Sequence, residues 1–99
     1  MSPIHDETTR RLYRAVLTLK TEEECRAFFE DLCTIKELQD LSQRLEVATM
    51  LAQKKNYQEV SRTTGASTAT ICRVNKCLNY GSDGYVTVLN RLQGEEDAP

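Results

Sequence analysis

The sequence holds a single histidine, His5, and no Cys-x-x-C pair. Its four cysteines are Cys25, Cys33, Cys72 and Cys77, at spacings that suit neither a zinc knuckle nor the ligand sets of structural zinc sites. A disulfide framework is not expected in a cytosolic chain. The cysteines therefore read as small packing residues, and neither a metal nor another cofactor is expected. No apolar run approaches the roughly 18 residues of a membrane span. The N-terminus, MSPIHDETTRR, is polar and lacks the apolar core of a signal peptide. These absences point to the cytoplasm and exclude a membrane partner. With no phosphate-binding glycine loop and no histidine–cysteine pair, an enzyme has no candidate catalytic group. Internal repeats are absent too.

What is present fits one small domain. Ninety-nine residues suit a single domain over 1–94, followed by an acidic tail at 95–99 that reads as disordered. A chain this short can bury only a limited core, and dimerisation would enlarge it. The net charge of −2 argues mildly against a nucleic-acid partner, but the charge is uneven. Residues 42–78 carry six bases (Arg44, Lys54, Lys55, Arg62, Arg73 and Lys76) and two acids, Glu46 and Glu59. Phosphate contacts depend on such a local field rather than on the total.

The hydrophobic pattern is helical nearly throughout. Residues 1–5 are expected to fray. Over 6–19, Leu12, Tyr13, Val16 and Leu17 share a face. Thr21 with Glu24 has capping-box spacing and opens a helix over 22–32, with Cys25, Phe28, Phe29 and Leu32 on its apolar side. Thr34 with Glu37 repeats the box and opens the longest helix, 35–53, whose Leu38, Leu41, Leu45, Ala48, Leu51 and Ala52 step at threes and fours. Asn56 with Glu59 is a third such pair. The run from Asn79 to Gly84 reads as a loop. Residues 85–92 stay open between strand and helix: their β-branched content suggests a strand, while Val88, Leu89 and Leu92 fit a helix face and no other strand exists to pair with.

The stretch YQEVSRTTGASTATICRVNKCL, residues 57–78, organises the rest. It reads as a helix over 57–64, a turn at Gly65, and a second helix capped by Ser67. Val60, Ile71 and Val74 are its apolar anchors, and Ala66 is small enough to let the helices approach. On the second helix Ile71, Val74 and Leu78 form one stripe. Thr68, Ala69, Cys72, Arg73 and Lys76 lie off it, short or basic, with no acid among them. Short side chains let a helix sit close to base edges, and basic ones take phosphates. An ordinary αα-corner is the plainer alternative for two helices joined by glycine.

The run Gly65-Ala66-Ser67-Thr68-Ala69-Thr70-Ile71-Cys72-Arg73 resembles the recognition-helix entry of the trp-repressor family. Residues 34–44, TIKELQDLSQR, resemble that family's preceding long helix. The match extends over roughly residues 6–92 and lies nearest the YerC/YecD-type branch. It implies an all-α bundle of about six helices, an intertwined homodimer, and binding to double-stranded operator DNA. In such a motif the first turns of the second helix read bases, which assigns base reading to Thr68, Ala69 and Cys72. Lys54, Lys55, Arg62, Ser67, Arg73 and Lys76 suit phosphates.

The resemblance also implies a ligand pocket at Thr34, Arg44 and Arg73, positions that line the amino-acid site of the tryptophan-dependent repressor. That repressor has glycine where this chain has Val74, and serine where it has Cys77. The valine fills the space an indole would use. DNA binding without tryptophan, or with another small-molecule effector, is therefore expected. Arg44 and Arg73 have the alternative roles of a structural ion pair or of phosphate contacts. The competing function is a helical protein-interaction module that keeps the fold without DNA binding, which the acidic total charge favours.

Overall fold

The computed structural model describes residues 6–97. It contains six helices: α1 (Glu7–Leu17), α2 (Glu22–Leu32), α3 (Ile35–Ala52), α4 (Tyr57–Thr64), α5 (Thr68–Tyr80) and α6 (Gly84–Glu96). No strand occurs among the described residues, so the segment left open at 85–92 is helical. The chain divides into two compact units, Met1–Leu38 and Gln39–Pro99.

The N-terminal unit is built from local signals. Asp6 caps α1 by accepting the Thr9 amide at 2.9 Å. The helix stops at Leu17 rather than continuing to residue 19. There the Thr18 hydroxyl donates to the Ala15 carbonyl at 2.7 Å, and the Thr18 and Leu19 amides bond three residues back, tightening the last turn. Thr21 caps α2 through the Glu24 amide at 3.1 Å, and the Glu24 carboxylate accepts from the Lys20 main-chain amide at 2.8 Å. Thr34 and Glu37 form the full reciprocal box, with bonds of 2.8 and 3.0 Å, at the start of α3. Phe28 and Phe29 meet edge to face at 5.6 Å between ring centres. Despite this order, no described residue of the unit is buried, and Leu17 and Ile35 stay 81% and 80% exposed.

The C-terminal unit holds the core. Val47, Ala48, Met50 and Leu51 of α3, Val60 of α4, Ala66 of the turn, and Ile71 and Val74 of α5 are all buried. Leu78, Tyr85 and Leu89 pack against them. The stripe read from the sequence on α3 is only partly the buried one. Leu41, Leu45 and Ala52 of that stripe are exposed, while Val47 and Met50, outside it, are buried. At 100° per residue the exposed set and the Val47–Met50–Leu51 set form two adjacent apolar faces that share Ala48.

The helix ends account for the remaining differences. α3 closes at Ala52, one residue short of the expected end, in a paired arrangement: the Lys54 amide bonds to Leu51 O at 3.0 Å and the Lys55 amide to Met50 O at 3.1 Å. α5 continues through Asn79 and Tyr80, which had read as loop, and stops at Gly81. A Cβ at Gly81 would collide with the Cys77 carbonyl oxygen, so glycine lets the chain leave the helix here. α6 runs to Glu96, past Gly94, so Glu95 and Glu96 of the expected tail are helical; Gln93 donates to the Asp97 carboxylate at 2.9 Å. Residues 98–99 of that tail, like residues 1–5, lie outside the described residues.

Candidate nucleic-acid interface

The α4–turn–α5 segment is held by short polar side chains. Asn56 caps α4 through the Glu59 amide at 2.9 Å. Gly65 takes φ +75°, a left-handed conformation that a side chain would strain, although a Cβ would meet no neighbour within 4 Å. Glycine is therefore required by the backbone angle, not by space. Three hydroxyl bonds then fix the turn. Thr64 Oγ1 donates to Val60 O at 2.8 Å, accepts the Ala66 amide at 3.1 Å, and Ser61 Oγ donates to Ala66 O at 3.0 Å. The Gln43 side-chain amide of α3 donates to Thr64 O at 3.1 Å. Ala66 is 2% exposed, which leaves no room for a larger residue without displacement.

Ser67 caps α5. Its hydroxyl accepts the Thr70 amide at 3.1 Å and lies 3.1 Å from Thr70 Oγ1. With Ile71 and Val74 turned into the core, Thr68, Ala69, Cys72, Arg73 and Lys76 are all exposed. At helical spacing Thr68, Cys72, Lys76 and Ala69 fall within about 100° of arc. Lys54, Lys55 and Arg62 are exposed as well. Lys55 lies 3.9 Å from Glu59, a long and solvent-screened pair.

The ligand-pocket residues are divided between the two units. Thr34 belongs to the N-terminal unit, where its hydroxyl caps α3. Arg44 is half-buried and Arg73 exposed, and among the described residues neither has an ion-pair partner. Val74 is 3% exposed within the core.

Three residues escaped the sequence reading. Gln43 is one, its bond to the turn spanning 21 positions with no local signal. Asn79 and Tyr80 are the others, assigned to a loop because Gly81 follows closely. Asn79 donates to Asn75 at 3.2 Å, an i, i+4 amide pair that could have revealed the longer helix.

The chain matches the Trp repressor protein family over residues 7–93, a span that contains helices α1 to α5 and most of α6. It belongs to the Trp repressor family. YerC of Bacillus subtilis (strain 168), itself uncharacterized, is 54% identical over 86 residues, covering 87% of this chain and 83% of YerC. A TrpR-like protein from Eubacterium eligens ATCC 27750 superposes with a TM-score of 0.87 at 50% identity, covering 91% of this chain and 93% of its own. A candidate Trp repressor from Staphylococcus aureus gives the same TM-score at 44% identity, covering 94% and 96%. Membership supports a regulator of the DNA-binding class rather than an enzyme. Among the described residues no helix is long and apolar enough to cross a membrane.

Proposed function

We propose that this protein is a cytoplasmic homodimer that binds double-stranded operator DNA in a sequence-specific way and regulates transcription without tryptophan. The observation that carries the reading is the outer face of α5. Thr68, Ala69 and Cys72 are exposed and short, Arg73 and Lys76 are exposed and basic, and no acid interrupts them. Thr68, Ala69 and Cys72 would approach base edges, while Lys54, Lys55, Arg62, Arg73 and Lys76 would meet phosphates. Ser67 has its hydroxyl engaged in the cap, so its contribution would come through the exposed start of the helix.

Two features support a dimer. The described residues of the N-terminal unit include apolar ones and none that is buried, and α3 carries a second apolar face, with Leu41 and Leu45 exposed. A second copy would cover both. Tryptophan independence is supported by Val74, whose side chain is enclosed in the core at the position where the tryptophan-dependent repressor has glycine.

The test is selection of bound sequences from a random duplex library at two salt concentrations, with and without tryptophan. A two-fold-symmetric motif enriched without tryptophan is the expected result. Absence of enrichment under every condition would overturn the reading in favour of an interaction module.

A further inference from the structure

The joint between α3 and α4 breaks a local rule. Lys54 adopts φ +67° at the left-handed position that closes α3. Glycine ordinarily fills that position, because a Cβ is strained there. A side chain held in a strained backbone directs attention to what it does.

Lys54 and Lys55 line a cleft of about 440 Å³ in the C-terminal unit. Leu51, Leu78 and Val86 supply its apolar part, and Tyr57, Asn75 and Asn79 its neutral polar groups. The volume lies within the range of small-molecule sites. Two other clefts on the same unit differ in chemistry. One includes Glu46 and Glu96 in its lining, and the other is chiefly apolar around Leu45, Tyr85 and Val88. The lysine cleft has no acid in its lining. Glu59, which is not part of the lining, lies 3.9 Å from Lys55 with both side chains partly exposed, and an incoming anion can replace so weak a pair.

We infer that this cleft binds a small amphipathic anion, a phosphate- or carboxylate-bearing molecule with an aromatic or aliphatic body. The ammonium groups answer the anion as point charges. The amides of Asn75 and Asn79 and the phenol of Tyr57 can donate to its oxygens, and the Leu51–Leu78–Val86 side takes the apolar body. The lining residues come from the joint and from α3, α4, α5 and α6, so a bound molecule touches every helix of the unit. It also neutralises two of the lysines assigned to DNA phosphates, which makes ligand and DNA competitors. The inference goes beyond the DNA-binding reading, and its test uses no DNA.

The test is titration of the intact protein with phenyl phosphate, inorganic phosphate and benzyl alcohol at constant ionic strength, followed by nitrogen–proton correlation NMR. Phenyl phosphate is expected to shift the Lys54 and Lys55 amides and the Asn75 and Asn79 side-chain amides saturably. Inorganic phosphate and benzyl alcohol should each bind about tenfold more weakly or worse, because each offers half of the contacts. K54Q/K55Q should weaken phenyl phosphate about tenfold or more. Lys54→Gly removes one charge while relieving the backbone strain, so it should fold at least as well and still bind less tightly. No saturable shift at these groups, or an affinity unchanged in both variants, would overturn the inference. Inorganic phosphate binding as tightly as phenyl phosphate would overturn it as well, leaving a bare anion contact.

Discussion

Gln43 and Thr64 are joined by a 3.1 Å bond from the side-chain amide of α3 to the main-chain carbonyl that ends α4. The bond is partly buried and ties the central helix to the turn that aims α5. Gln43→Ala is expected to cost about 1 kcal/mol, the usual net worth of such a bond. It should also weaken DNA binding further than the stability loss explains. Urea denaturation read beside a DNA titration separates the two effects.

Gly65 and Gly81 should fail for different reasons. Gly65→Ala meets no neighbour but must hold φ +75°, and is expected to cost about 1–2 kcal/mol. Gly81→Ala collides with the Cys77 carbonyl and should instead fray the end of α5. Thermal unfolding measures the first, and amide exchange at residues 77–80 the second.

Val74 is enclosed in the core, and Val74→Gly should destabilise the protein by about 2–4 kcal/mol through cavity formation and lost helix propensity. Tryptophan titrated calorimetrically into the native protein should give no saturable heat at micromolar concentration. In the glycine variant a saturable heat should appear. Saturation in the native protein would remove the argument from Val74.

Lys76 and Thr68 should separate charge from sequence reading. Lys76→Ala is expected to flatten the log–log salt dependence of DNA binding by about one unit while weakening all sequences alike. Thr68→Ala should leave that slope unchanged and lose about 1–3 kcal/mol of discrimination at one base position. Binding isotherms at several salt concentrations on matched and mismatched duplexes distinguish the two.

Asp6 is held below its usual value of 3.8, first because the Thr9 amide donates to its carboxylate. A depressed carboxylate stabilises the folded form above 3.8, and that contribution is lost as pH falls through the lowered value. The first turn of α1 should therefore loosen in acid. Thr9 amide exchange followed against pH reads this, and Asp6→Asn, which keeps an acceptor without the charge, should abolish the Asp6 step.

Local chemistry was the legible part of the sequence. Thr21, Thr34 and Asn56 all cap helices as their spacing predicts, and Gly65 turns where the motif requires. The α4 boundaries follow directly from Asn56 and Gly65. Packing was less legible. Two overlapping apolar faces on α3 make the leucine stripe look like the buried one, although Val47 and Met50 are the residues that join Val60, Ile71 and Val74 in the buried cluster. The candidate site is legible on α5 from residue type and helical spacing off the apolar stripe, and Thr68, Ala69, Cys72, Arg73 and Lys76 are all exposed. Gln43 could not be found this way, because its partner is a main-chain carbonyl, which carries no residue identity.

The bonds that set the turn come from Ser61, Thr64, Gln43 and main-chain groups, and the α5 cap from Ser67 and Thr70. None of those side chains ionises near neutral pH, and none of the bonds is an ion pair that salt would screen. The angle at which α5 is presented is thus insulated from the solution that bathes it. Sensitivity of the proposed DNA binding to salt or acidity would then arise outside the turn, at the charged contacts. Under the proposed function the protein carries its own internal reference: ionic conditions change how strongly DNA is held, while the bonds that aim α5 stay fixed.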